Sequence, residues 1–224
     1  MGAEVDCRLV ELRNFAQNRM PMRPILLIEN LKNLHDARYC AAVGISMVSY
    51  EMDESANSDL SPMRVKEISE WLSGVEFIGK FQNENPDELN VMAAAALLDW
   101  LELPLDDDFT KAKEILPGLV FRVQSSDKAS ALRMLQAHAQ FPEALMLIDA
   151  HHQIMLPFLQ GQPDLMSRCI LRHDDPNSLL VQLASQGLKP YGFSLGEFAR
   201  ESDGQLDYDA CDVFLEAFAE MVPA

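Results

Sequence analysis

The apolar positions of the chain fall into short runs separated by longer stretches with the three-to-four residue recurrence of amphipathic helices, and the alternation continues with little interruption. The runs are PILLIEN from Pro24, SMVSYEM from Ser46, EFIGKFQN from Glu76, LDWLELP from Leu98, LVFRVQ from Leu119, ALMLIDA from Ala144, RCILRH from Arg168 and KPYGFSL from Lys189. Each is short enough to be a strand buried on both faces. The intervening helices carry recognisable starts. Asn33 precedes LHDARYCAAVG, with Gly44 at the C-terminal side, and Ser61-Pro62, Asn85-Pro86 and Asp175-Pro176 each put a capping side chain before a proline, whose missing N–H costs nothing in a first turn. Asp207 or Asp209 opens the last helix, YDACDVFLEAFAEM.

Eight strand-helix units within 224 residues predict a single-domain α/β chain, a (β/α)8 TIM barrel, over 23–224. The rival is an open doubly wound sheet, which would show fewer units and a glycine-rich first turn; here that turn is Glu29-Asn30-Leu31. Residues 1–22 precede the first strand and form a helical extension, with Val5, Leu9, Leu12, Ala16 and Met20 on one face. Two roles fit it equally: a plug for the N-terminal end of the barrel, or a homodimer contact. The chain is thus expected to be a monomer or a homodimer.

Charge narrows the partners. A formal charge of -17 argues against nucleic acid, which requires a basic stripe to release counterions, and against anionic membrane surfaces. No apolar run approaches the roughly 20 residues that span a bilayer, and the N-terminus lacks the apolar core of a secretion signal, so a cytoplasmic location is expected. Cys7, Cys40, Cys169 and Cys211 are widely separated and read as reduced structural thiols.

The stretch LIENLKNLHDARYCAAVG, Leu27 to Gly44, resembles the opening of the phosphoribosylanthranilate isomerases, a K-I-C-G strand end followed by a helix of the type xEDAxxAxxxGAD. SPMRVKEI is similar to the family's SPEQAxxI helix, GKFQNENPDEL to its GVFVNxxPEEV, and LDWLELP to its DVVQLHG. Near the end, SLGEF followed by GQLDYDACDVFLEAF is similar to SSGVE followed by GxKDxxKxxxFxxA. The resemblance implies a TIM barrel and an Amadori rearrangement of phosphoribosylanthranilate in tryptophan biosynthesis. That reaction uses a cysteine as general base and an aspartate as general acid, with no cofactor, at the C-terminal ends of the first and sixth strands.

Position by position, the family's site is only partly matched. Its catalytic cysteine falls on Glu29 and the neighbouring glycine on Asn30, while MLIDA resembles the family's LLDS and puts the acid at Asp149. A glutamate base has a longer arm, and a misplacement of about 1 Å can cost roughly 100-fold. The arginine that pairs with the anthranilate carboxylate falls near Ser58, with no arginine between Met47 and Pro62. QLH becomes Glu102-Leu103-Pro104. The glycine cradles that bind phosphate become His151-His152-Gln153-Ile154 and Arg172-His173-Asp174-Asp175.

The candidate catalytic residues are therefore Glu29 and Asp149, and the candidate substrate-binding residues Asn30, Glu102, His151, Arg172, His173 and Ser194. Glu51, Asn83 and Gln124 also stand at or just after strand ends, which converge on one mouth in a barrel. Several readings stay open for this mouth. The first is an isomerase-like barrel without the original activity that binds or transforms another small polar ligand. The others are a catalytically silent binding or assembly protein, and an active isomerase with Glu29 as base and Asp149 as acid. Carboxylates with histidines could also ligate a divalent metal, although no local ligand spacing supports one; no metal or other cofactor is assigned. His151-His152 reads either as a proton-transfer pair or as a polar turn, and Asp149 either as the acid or as a structural partner of Arg172. The run Asp106-Asp107-Asp108 reads either as an acidic ligand cluster or, the favoured expectation, as a solvated loop that ends by capping a helix at Phe109. An enzyme predicts Glu29 and Asp149 facing one another across a closed pocket; a silent relative predicts a filled mouth.

Overall fold

The computed structural model describes residues 23–52, 60–82, 85–106, 109–124, 127–150, 155–201 and 204–221. The expected helix over 1–22, Ser58, Asn83 and the pair His151-His152 lie outside them. Eight parallel strands close into a barrel in chain order: β1 Ile25–Ile28, β2 Met47–Glu51, β3 Glu76–Lys80, β4 Trp100–Pro104, β5 Gly118–Val123, β6 Leu145–Asp149, β7 Cys169–Arg172 and β8 Gly192–Ser194. β8 closes on β1 through the register Ile25↔Gly192 and Leu27↔Ser194. Each expected apolar run supplies one strand, and the open-sheet alternative is excluded.

The connecting helices begin where capping chemistry places them. Asn33 accepts from the Asp36 N–H at the start of α1, Leu34–Ala42, and Ser61 from the Arg64 N–H at the start of α2, Pro62–Ser69. Asn85 and Asp175 do the same for α3, Pro86–Ala96, and for α7, Pro176–Gln186. Asp127 caps α4, Lys128–Gln140; the shorter α5, Met155–Gln160, and α6, Pro163–Met166, lead into β7. For α8, Tyr208–Met221, the choice between two aspartates is resolved: Asp207 accepts from the Ala210 N–H. Among the described residues the segment between β4 and β5 holds a 3-10 turn, Thr110–Glu114, with Phe109 at its start; Asp107 and Asp108, to which the expected cap belongs, lie outside the described residues. Phe109 turns its ring edge-on to Phe121 and Phe141, and this packing fixes the start of the turn.

Two apolar clusters divide the molecule. The larger lies between strands and helices. The smaller fills the barrel itself with Ile25, Leu27, Met47, Ile78, Trp100, Val120, Leu145, Leu147 and Ile170. Trp100 is its bulkiest member, and it fits because position 118 is glycine: a Cβ there would stand 2.3 Å from the indole ring. The indole N–H donates to Glu76 at 2.8 Å, satisfying the one polar atom of the plug.

Candidate functional site

Side chains alternate across a strand, so the residue two places beyond each lumen-filling apolar residue also points inward, one layer nearer the C-terminal mouth. Beyond Leu27, Met47, Ile78, Trp100, Val120, Leu147, Ile170 and Gly192 stand Glu29, Ser49, Lys80, Glu102, Arg122, Asp149, Arg172 and Ser194. Every strand thus contributes one polar side chain to the C-terminal end of the lumen, those of neighbouring strands staggered in height. Around the barrel the charges alternate: Lys80, Glu102, Arg122, Asp149, Arg172, then Ser194, Glu29 and Ser49. Ionised groups this deep are tolerated only when paired, and pairing is what the order provides.

Arg172 is the centre of the half that opens on the pocket. Its Nε and Nη2 donate to the two oxygens of Asp149 at 2.5 and 3.1 Å, and its Nη1 donates to both oxygens of Glu29 at 3.2 and 3.0 Å. β6 and β7 are paired with Asp149 opposite Arg172, which makes the first contact a cross-strand pair. The second reaches over β8 to the end of β1. Ser194, fully buried on β8, fills the gap by donating to Glu29 Oε1 at 2.5 Å. Burial works against the Arg172 charge, but the hydrogen bonds and charges of Asp149 and Glu29 more than offset it, and its pKa is raised above the ordinary arginine value. Its stem passes Gly196, where a Cβ would come within 2.8 Å, so the second residue after β8 has to be small for Arg172 to lie across the mouth.

The opposite half is deeper. Glu102 is wholly buried and accepts from Arg122 Nη1 at 2.7 Å; Arg122 also donates to Gln82 at 3.2 Å. Burial pushes the Glu102 carboxyl up to about 6; the charge of Glu29 adds to the effect, and Arg122 and Lys80 oppose it. Lys80 itself pairs with Glu51 at 3.0 Å. Glu102 is thus held inside the barrel wall instead of lying exposed at the rim, as a substrate-binding role at the mouth would have it.

Asn30 follows Glu29 with φ +55°, in the left-handed region that asparagine tolerates better than most residues. Its N–H donates to the Ser49 hydroxyl at 3.1 Å. Arg200, from the segment after β8, donates to the carbonyl oxygens of Glu29 and Asn30, fastening this turn from outside. A pocket of about 360 Å³ opens above the layer, lined by Glu29, Asn30, Lys80, Asp149, Arg172, His173, Asp174, Gly196 and Arg200.

The structure therefore brings together Glu29, Asn30, Asp149, Arg172, His173 and Ser194 at one mouth. His173 lines its edge and accepts from the Asp175 N–H at 2.9 Å. Gln124 is exposed and takes no part. The closed pocket with Glu29 and Asp149 facing one another is not what forms, because Arg172 stands between them. Nor is there metal geometry: among the described residues no group of three or more His, Cys, Asp and Glu is arranged to hold an ion. Lys80, Arg122 and Ser49 complete the layer, and strand alternation within FIGKF, VFRVQ and MVSYE would have found them. Arg200 has no such signal.

Fold and site together define a (β/α)8 barrel with a polar, ion-paired C-terminal mouth, the end at which enzymes of this architecture carry their active sites. Among solved structures the chain is similar to phosphoribosyl anthranilate isomerases. One is in complex with reduced 1-(o-carboxyphenylamino)-1-deoxyribulose 5-phosphate (19% identity, TM-score 0.74), one is from Thermotoga maritima (18%, 0.72) and one from Thermus thermophilus (16%, 0.71). Each match covers 88% of this chain and 99% of the other. At such identities the likeness is one of fold. No protein-family model and no curated protein matches the chain. Among the described residues no helix is long and apolar enough to cross a membrane.

Proposed function

We propose that this protein is an isomerase-like barrel that does not catalyse the isomerisation of phosphoribosylanthranilate and instead binds another small polar ligand at its mouth. The observation that carries the reading is the Arg172 bridge. Arginine only donates, so a carboxyl engaged by it on both oxygens, as Asp149 is, has no proton to hand to a ribose oxygen. Glu29 accepts from Arg172 on both oxygens and from Ser194 on one, which leaves it badly placed to take a proton from carbon.

Charge argues the same way. The ligand in the similar isomerase complex carries a carboxylate and a phosphate. Here the lining includes Glu29, Asp149 and Asp174, while Lys80 is turned to Glu51 and Arg172 to the two acids. A dianion would meet like charge with few donors to receive it.

Two measurements test this reading. Purified protein is expected to leave phosphoribosylanthranilate fluorescence at the uncatalysed rate, and its expression is expected not to restore growth of a tryptophan auxotroph lacking the isomerase. Turnover that disappears in Asp149→Asn would overturn the proposal.

A further inference from the structure

The whole chain carries a formal charge of -17, yet the lining of the mouth pocket is balanced: the acids Glu29, Asp149 and Asp174 stand against the cations Lys80, Arg172 and Arg200. A balanced lining in so acidic a protein offers an ion of either sign no net attraction. The pairs already formed add a second obstacle. An anion that took Arg172 for itself would leave the buried Glu29 carboxylate with only the Ser194 hydroxyl, and a cation that took Asp149 would pull it away from Arg172.

What the pairs leave over is hydrogen-bonding capacity of both kinds, side by side. Each oxygen of Asp149 accepts one bond from Arg172 and has room for a second, on a side chain that is 25% exposed. Arg172 spends Nε and one Nη2 hydrogen on Asp149 and its Nη1 on Glu29, so the other Nη2 hydrogen is left over, on a side chain that is 29% exposed. Lys80, paired with Glu51, keeps further ammonium hydrogens. All three residues line the pocket, and Asp149 and Arg172 are register partners on neighbouring strands. A phosphate dianion or a carboxylate only accepts and an ammonium only donates, so each could use half of this set. A hydroxyl does both.

Resting on the reading that this mouth binds a small polar ligand, we propose that the ligand is a neutral polyhydroxyl compound, a free sugar or a cyclic polyol, held by a vicinal diol across the Asp149–Arg172 pair. One hydroxyl donates to an exposed oxygen of Asp149, and its neighbour accepts from the remaining Nη2 hydrogen of Arg172. Further hydroxyls reach Lys80 and, at the exposed edge, Asp174. Such a ligand adds bonds to the pairs without separating them, so no charge is stranded on binding. A cavity of about 360 Å³ lies at the small end of the usual ligand-site range of roughly 300–1,000 Å³, which suits a single sugar ring.

Calorimetry and thermal shift on the full chain test this with ribose, glucose and myo-inositol as neutral probes, and with ribose 5-phosphate, glucose 6-phosphate and glucosamine as their charged counterparts. At least one neutral probe is expected to bind, roughly tenfold or more tighter than its charged counterparts. Its affinity should change by less than about twofold between about 20 and about 500 mM sodium chloride, since no net charge is brought to the site. Asp149→Asn is expected to weaken that binding roughly tenfold or more, by removing acceptor sites and loosening Arg172. Should this variant not fold, the comparison of neutral with charged probes and the salt series on the wild-type protein decide. A charged counterpart binding as tightly as the neutral probe overturns the proposal and leaves the ligand-binding reading intact. Absence of binding by all three neutral probes, a strong salt dependence, or unchanged affinity in folded Asp149→Asn overturns it as well. Isomerase turnover is a separate readout, which would refute the preceding section whatever the sugars do.

Discussion

Replacing Arg172 by methionine removes the guanidinium from between Glu29 and Asp149 while keeping most of the stem that lies against Gly196. At about 3 Å and an effective dielectric near 20, one such pair is worth about 5 kcal/mol of Coulomb attraction. The Arg172 side chain is 29% exposed and Glu29 only 5%, which places the bridge between an exposed pair, at about 0–1 kcal/mol, and a buried one, whose breakage costs about 3–5 kcal/mol. The expected loss for Arg172→Met is therefore about 3 kcal/mol at pH 7, seen by urea unfolding under far-UV circular dichroism as a lower midpoint at unchanged slope. Glu29→Gln alone keeps an acceptor for Ser194 and is expected to cost about 2 kcal/mol. The double variant has no carboxylate at position 29 left to strand, so it should be no less stable than Arg172→Met, giving a coupling of about 2 kcal/mol. A loss below about 1 kcal/mol for Arg172→Met, or additive single effects, would show that the bridge is a solvent-screened contact and would remove the main physical objection to Asp149 as an acid.

Two further outcomes follow from the barrel interior. Gly118→Ala puts a methyl group 2.3 Å from the Trp100 ring, so it should destabilise the fold by about 1–3 kcal/mol and shift the emission of the buried tryptophan, with ligand binding at the far end unchanged. Glu102 and Asp99 are both raised to about 6, chiefly by burial; the Glu29 charge adds at Glu102, and the Phe77 N–H opposes at Asp99. A raised carboxyl stabilises the fold below its unfolded value and loses that contribution as pH climbs through the folded one. Stability should therefore decline from about pH 4.5 to about pH 7 on account of these two groups, and Glu102→Gln should flatten the decline in a denaturation series across that range.

The barrel was readable because its signals are local. Each strand is a short apolar run, and Asn33, Ser61, Asn85 and Asp175 announce helices with side chains that need only reach their own first turn. At the start of the 3-10 turn before β5 the contacts are long-range instead: Phe109 meets Phe121 from β5 and Phe141 from the end of α4, and neither contact is visible from the Asp-rich run that precedes it.

For the mouth the division is sharper. Which residues meet there follows from topology, since strand ends in a barrel converge, and Glu29, Asp149, Arg172 and Ser194 were legible on that ground. What they do to one another was not, because it depends on the reach of a side chain. Glu29 and Asp149, on strands with β7 and β8 between them, look like an acid and a base awaiting a substrate until the guanidinium is placed. Arg172 then spans from its register neighbour Asp149 to Glu29 across Ser194, and two candidate catalysts become two halves of one ion-paired bridge. The same reach, by Arg122 toward Glu102 and Gln82, ties a second set of strand-end side chains together deeper in the barrel. A charged ligand at this mouth then has to compete with ion pairs that are already formed, because Lys80, Arg172, Glu29 and Asp149 each reach the pocket with a partner in place.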